Sequence, residues 1–315
     1  MVQSTLFVHG GRTDEYNAYS YTQAHVNNDL FSLSLLSSFD VANPPWQISS
    51  VAPQDPAVAW HTLTPFNTTS LLLFGGDTGP NSPVVLPSVP DSAALLNISS
   101  ANSPTWSVEQ QSWANEPLRR IYHTASTFGG KVYIVGGMKD DGSGMAFSDH
   151  FVFDPSTPSF SPLPSANSPP DIAGHQAIVM PNGRLWIFGG YAPSVKALQP
   201  FSTIWSLDLT QTNLNWEQIS VSTDTLPPPR RGFAAALCDS GKIFIQGGAD
   251  AVTQTSFSDG WVLDTSQQPM VWSSVSALSQ VGPRRDHFAL GLGNLVIFGF
   301  GENICQCFHI ACADG

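Results

Sequence analysis

The chain has 315 residues, 42% of them hydrophobic and only 11% charged, with 26 Gly and 25 Pro, which excludes disorder as the main state and describes a globular, turn-rich chain. No run of about 18 apolar residues occurs, and Met1-Val2-Gln3-Ser4 lacks the charged and apolar regions of a signal peptide, so the sequence reads as soluble, without membrane span or leader. Its 12 basic and 24 acidic residues leave a net charge of −12, which repels phosphate backbones and anionic membranes and excludes nucleic acid as an expected partner.

In chain order, a short apolar run closed by a glycine pair keeps returning. It first appears as LFVHGG (Leu6 to Gly11). A long loop holding Arg12, Asp14, Glu15, Tyr16, Tyr19, Tyr21 and His25 follows, then a strand at Asp29 to Leu33 and an aromatic at Trp46. The second repeat starts near His61 and contains LLLFGG (Leu71 to Gly76) and Trp106. The third runs from Arg119-Arg120 through HTASTF (His123 to Phe128), VYIVGG (Val132 to Gly137) and His150 to Asp154, ending near Phe160. The fourth has HQAIVM (His175 to Met180), the turn Pro181-Asn182-Gly183, LWIFGG (Leu185 to Gly190), Ile204 to Asp208 and Trp216. In the fifth, Arg230-Arg231, Phe233, Cys238 and the turn Ser240-Gly241 precede IFIQGG (Ile243 to Gly248), Trp261 to Asp264 and Trp272. The sixth offers Arg284-Arg285, His287 and a degenerate VIFGFG (Val296 to Gly301). Period-two patterning makes these strands rather than helices.

Each repeat has one grammar. A small-residue strand a turns tightly into the glycine-pair strand b, where Gly permits positive φ and close approach; strand c ends at an aspartate that closes a turn; strand d carries an aromatic that buries area between neighbours. The spacing of the pairs, roughly 50 to 65 residues, is near the kelch period of about 50 with the surplus in loops. On the glycine pairs, strand c and its downstream Trp, the sequence resembles the kelch-repeat family over nearly its whole length, and it looks like the galactose oxidase/kelch propellers of fungal surface proteins. The resemblance implies an all-β fold: a six-bladed propeller of four-stranded antiparallel blades with strand a innermost. The propeller is expected over residues 1–302, with blades at about 5–50, 58–110, 120–164, 173–220, 231–275 and 284–302, and a divergent tail at 303–315.

The first and last blades are expected to be incomplete, because strand b opens the first and no strand-d Trp follows the sixth glycine pair. Either Ile304 to Ala311 closes the ring, or the chain is a truncated or alternatively spliced form of a longer protein; unclosed edges would invite self-association. Sequons at Asn67 and Asn97, together with the family resemblance, favour an extracellular or cell-surface setting.

The d–a and b–c loops emerge on one face, where function is expected. Six of the eight arginines fall there in three pairs, Arg119-Arg120, Arg230-Arg231 and Arg284-Arg285. Guanidinium groups on one rim suit carboxylates, so an acidic protein segment or a glycan is the expected ligand, with Tyr16 and Tyr19 as contact residues; the competing reading makes the arginines scaffold groups. His61, His123, His175 and His287 hold equivalent positions at the head of strand a, taken by Phe233 in the fifth repeat, and are metal-ligand candidates or structural donors. Cys305, Cys307, His309 and Cys312 form a second string of soft donors, off the standard zinc-finger spacing. No cofactor other than such a metal is implied, and no catalytic residue: nucleotide loop, serine elbow and zincin pair are absent, and Cys238 has no Tyr partner for a copper-radical site. The expected function is therefore non-catalytic binding or scaffolding, the alternative being a metal-dependent, oxidase-like enzyme using the strand-a histidines.

Overall fold

A computed structural model of the chain describes residues 1–2, 4–13, 25–40, 43–49, 55–78, 92–99, 104–108, 113–293, 295–301 and 309–312. Among these the structure is β throughout apart from a short 3-10 segment, Ser276–Val281, and no helix is long and apolar enough to cross a membrane. The chain divides into two compact units, Met1–Gly144 with His150–Leu163, and Met145–Asp149 with Pro164–Gly315.

Besides the two-stranded ladders of Arg12–Thr13 with His25–Val26 and of Arg120–Ile121 with Met138–Lys139, the described residues of the first unit hold three larger antiparallel sheets whose strands lie side by side in sequence order. The first sheet is Thr5–His9, Leu30–Ser34 and Gln47–Ser49; the second is Thr62–Pro65, Ser70–Phe74, Ala93–Asn97 and Thr105–Val108; the third is Thr124–Phe128, Lys131–Val135, His150–Asp154 and Ser159–Pro162. The second unit repeats the arrangement with Gln176–Val179, Arg184–Phe188, Thr203–Asp208 and Trp216–Ser220, then Ala234–Leu237, Ile243–Gln246, Gly260–Asp264 and Val271–Ser274. A last sheet of three strands consists of Phe288–Leu292, Leu295–Gly299 and His309–Cys312. The four-stranded sheets thus follow the a, b, c, d order that the repeat predicts. In the last sheet, His309–Cys312 pairs with the b strand in the place of strand c, with Phe298 opposite His309 and Leu295 opposite Cys312.

In the four-stranded sheets strand b is buried on both faces, which explains its unbroken apolar run: Leu71 to Phe74 are at most 2% exposed. Between the second and third sheets, Leu72, Phe74, Val132, Ile134, Phe153 and Phe160 form one core, on which Trp113 stacks 5.0 Å from Phe153. Between the fourth and fifth, Trp186, Phe188, Phe201, Phe233, Ile245 and Trp272 do the same, and the Trp272 indole N–H donates to the Phe201 carbonyl at 3.2 Å. The strand-d aromatics Phe160, Trp216 and Trp272 are buried, whereas Trp46 and Trp106 are half-buried.

The glycine pair is what lets neighbouring sheets touch. The amide of Gly76 donates to the Arg120 carbonyl of the next sheet at 2.9 Å, and a Cβ on Gly75 would lie 2.4 Å from that same oxygen. The bond recurs from Gly11 to Val58, Gly190 to Arg230 and Gly248 to Arg284 at 2.8 to 2.9 Å. A side chain on the first glycine would push the next sheet away, so within each unit these pairs mark interfaces between sheets rather than flexible points. At the opposite end of the strands, Asp154, Asp208 and Asp264 each accept from an amide and a hydroxyl two residues on, closing the c–d turns as expected.

Candidate functional site

Within each unit the d–a loop runs alongside the start of the b–c loop of its own sheet. Ala59 bridges Asp77 and Arg120-Ile121 pairs with Met138-Lys139 in the first unit; Ala173 bridges Tyr191 and Arg231 bridges Ala249 in the second. In each unit these short ladders set the d–a loop beside the b–c loop of its own sheet.

The pairs divide into two kinds of arginine. Arg120, Arg230 and Arg284 are at most 3% exposed, and each guanidinium grips backbone carbonyls. Arg120 donates to Leu118 and Gly136, Arg230 to Pro228 and Gly247, and Arg284 to Val281 and Phe300, so the first-glycine position of strand b, filled by Phe300 in the last sheet, is the common acceptor. Arg230 also makes a two-point ion pair with Asp259, at 2.6 and 2.8 Å, and lies over Phe257 at 4.3 Å. The expectation that all six guanidinium groups face a ligand is corrected here: these three hold the d–a loop onto its own strand b, because a buried charge needs a full set of acceptors. Arg119 is also buried, 3.7 Å from Asp140.

The remaining two, Arg231 and Arg285, are partly exposed. They come from adjacent sheets of the second unit and meet on one neutral atom, the Gln254 side-chain oxygen, at 3.1 and 3.0 Å. Gln254 itself is exposed, and Arg231 also faces the Tyr191 ring at 6.0 Å. Two cations sharing an amide oxygen is the arrangement in which a carboxylate would be the better acceptor.

The strand-a histidines sit in a slot between glycine pairs. Gly76 packs on the Cβ of His61 and Gly137 on that of His123, each within its own sheet, while Cε1 of His123 would meet a Cβ on Gly75 at 2.7 Å. Phe233 fills the same slot against Gly189 and Gly248, and His287 does so against Gly247 and Gly301. What repeats is therefore a flat ring of a given size, which is why phenylalanine can replace histidine. Burial lowers His61 to about 4, and burial together with Arg284 lowers His287 to about 3. His9 is lowered too, first by burial and then by His61, whose Nε2 lies 3.1 Å from its Nδ1. His175 is 2% exposed and packs its Cβ on Gly190. Among the described residues no group of three or more metal-ligating side chains comes together, and the rings of His61, His123 and His287, three of the four histidines expected as ligands, lie against glycines that close a b strand. Cys305, Cys307, Tyr16 and Tyr19 lie outside the described residues, and His309 and Cys312 mark the two ends of the last strand. Cys238 is buried just beyond strand a, its thiol pKa raised first by that burial.

One column escaped the sequence reading: the residue just before the slot ring. It has positive φ in five repeats, as Trp60, Tyr122, Gly174, Gly232 and Asp286, and in the second unit it links sheets through Gly232 N–H to Gly174 and Asp286 N–H to Gly232 bonds of 2.8 and 2.7 Å. In the first unit Trp60 and Tyr122 are half-exposed and 5.3 Å apart, with Arg12 over Trp60 at 4.7 Å and ion-paired to Asp77. The alignment of Gly174 with Gly232 was the available signal.

These features define a repeat protein of stacked four-stranded blades. Residues 122–312, more than half of the chain, match the KLHDC2/KLHL20/DRC7 Kelch-repeats domain, and the chain belongs to that kelch-repeat β-propeller family. It is similar to Adagio-like protein 3 of Oryza sativa subsp. japonica, 28% identical over 86% of this chain and 41% of that protein, and to Adagio protein 3 of Arabidopsis thaliana, 28% identical over 78% of this chain and 38% of that protein. Acyl-CoA-binding domain-containing protein 4 of Arabidopsis thaliana is 32% identical over 58% of this chain and 26% of that protein. The chain thus spans about two fifths of the length of the Adagio relatives. These relatives are plant proteins, and none carries the fungal surface-protein or galactose oxidase label that the sequence suggested.

Proposed function

We propose that this chain is a non-catalytic interaction scaffold that recognises an acidic protein segment through the d–a and b–c loops, with Arg231 and Arg285 as the anion-facing groups. The observation that carries the reading is their convergence on the neutral Gln254 oxygen, which an incoming carboxylate would replace at little cost. Kelch-repeat membership supports a scaffold, and the packing of strand-a rings against glycine pairs favours it over the metal-dependent enzyme that is the alternative. The reading takes the six glycine-closed strands as six blades of one propeller. A glycan is the second ligand class, favoured by the half-exposed Trp60 and Tyr122 pair.

The test is a paired array of acidic peptides and anionic glycans, probed with the wild-type chain and with the double variant Arg231→Gln/Arg285→Gln. Saturable binding lost in the variant supports the reading. Binding unchanged in the variant, or a blank array, removes it.

A further inference from the structure

The exposed apolar side chains of the second unit are not scattered. Among its described residues the large ones are Met145, Val195, Val252 and Phe300, and each lies in a segment joining a b strand to a c strand. The turns at the other end, by contrast, are made of groups such as Asn182, Thr210, Gln211, Ser266 and Gln267. Single exposed valines need no explanation, but two of these are displayed by turns that an aspartate holds and a positive-φ residue closes.

Val195 tops the hairpin between Tyr191–Ala192 and Ala197–Leu198 and is 63% exposed. Asp171 holds that hairpin by accepting from the Ser194 amide at 2.9 Å and from its hydroxyl, and Lys196 closes it at φ 50°. Val252 tops the next b–c loop and is 89% exposed. There Asp250 accepts from the amides of Val252 and Thr253 at 2.9 and 2.7 Å, and Gln254 closes the turn at φ 57°. Both aspartates are turned onto the amides of these turns, and those donated N–H groups hold Asp250 below its ordinary pKa. Arg231 lies between the two turns, facing the Tyr191 ring at the base of one at 6.0 Å and donating to Gln254 at the end of the other.

We propose that Val195 and Val252 are paired apolar anchors of a protein-docking surface with Arg231 between their turns, and that the partner is a protein segment carrying a carboxylate side chain flanked by apolar residues. The inference rests on the reading above and gives its ligand a shape. Turns locked by hydrogen bonds before binding lose little entropy on docking, which is what a recognition anchor requires and what a merely solvated loop does not. Arg231, Arg285 and the exposed Lys196 supply the charge complementary to such a segment.

The experiment is selection of a phage-displayed random-peptide library on the wild-type chain, followed by affinity measurement of the selected peptides on Val195→Ser, Val252→Ser and Arg231→Gln. Gln211→Ala, at the opposite end of the strands, serves as the control. All four positions are partly or fully exposed, so the variants are expected to fold, as checked by unchanged thermal midpoints. The expected result is a peptide motif with an acidic residue between apolar ones, binding about tenfold or more weaker to each of the three variants and unchanged on the control. Peptides that bind the wild type and lose affinity on Arg231→Gln but not on either valine variant would overturn the anchors while leaving the acidic-segment reading intact. An empty selection overturns both.

Discussion

Lowering the pH from 7 to 4.5 should weaken this protein through its buried rings, and His287 lets the effect be isolated. Both of its ring nitrogens are buried with no hydrogen-bond partner among the described residues, and its pKa is held at about 3, below the ordinary 6.5. Because the folded value is lowered, the folded chain stays neutral there while the unfolded chain takes up a proton, so stability is lost as pH falls through 6.5 and goes on falling until about 3. At pH 4.5 the mismatch amounts to about 2 to 3 kcal/mol for this one residue, a sizeable part of a typical domain's stability. His287→Phe puts into the slot the ring that Phe233 already places in the equivalent one, removes the unpaired nitrogens and removes the titration. Urea unfolding at pH 7 and 4.5 measures both effects. The variant is expected to be at least as stable as wild type at pH 7 and to lose about 2 to 3 kcal/mol less on acidification. An identical pH dependence in the two proteins would refute the account of His287 as a neutral packing group.

Three further outcomes follow from the same geometry. Asp259→Ala strands the fully buried Arg230 without its carboxylate and is expected to cost about 2 to 3 kcal/mol in chemical unfolding, whereas Arg231→Ala stays within about 1 kcal/mol. Gly75→Ala, which would put a Cβ 2.4 Å from the Arg120 carbonyl, should lower the thermal midpoint far more than Gly129→Ala, whose Cβ would meet nothing within 4 Å. Elemental analysis of gently purified protein should find no stoichiometric zinc or copper, and His61→Phe should leave that result and the binding unchanged; a bound metal lost in the variant would restore the enzyme alternative.

The fold was legible because it is written in a repeat. Glycine pairs, terminal aspartates and strand-d aromatics are demanded by short backbone distances and buried area, and both leave a periodic trace. The arginine pairs were visible as well, but not their division of labour: Arg230 and Arg231 differ only in which way the chain turns them, one into the Gly247 carbonyl and Asp259, the other toward Gln254. The repeated histidine invited a metal reading because spacing reports position and not neighbours. The contacts of His61, His123 and His287 with the glycine pairs favour a role by shape, toward which Phe233 at the same position already pointed. Val195 and Val252 carried no signal, since their turns are held by Asp171, 23 residues before Ser194, and by Asp250 within its own turn, through hydrogen bonds that no periodicity records.

The central claim is that recognition occurs at the loops bearing Arg231 and Arg285, and hydrogen–deuterium exchange with and without a bound acidic peptide tests it most directly. The account predicts slowed exchange at residues 191–198, 250–257 and 283–286, with the turns at 181–183, 209–215 and 265–269 unchanged. Protection confined to those opposite turns, or spread evenly over both ends of the strands, would contradict it.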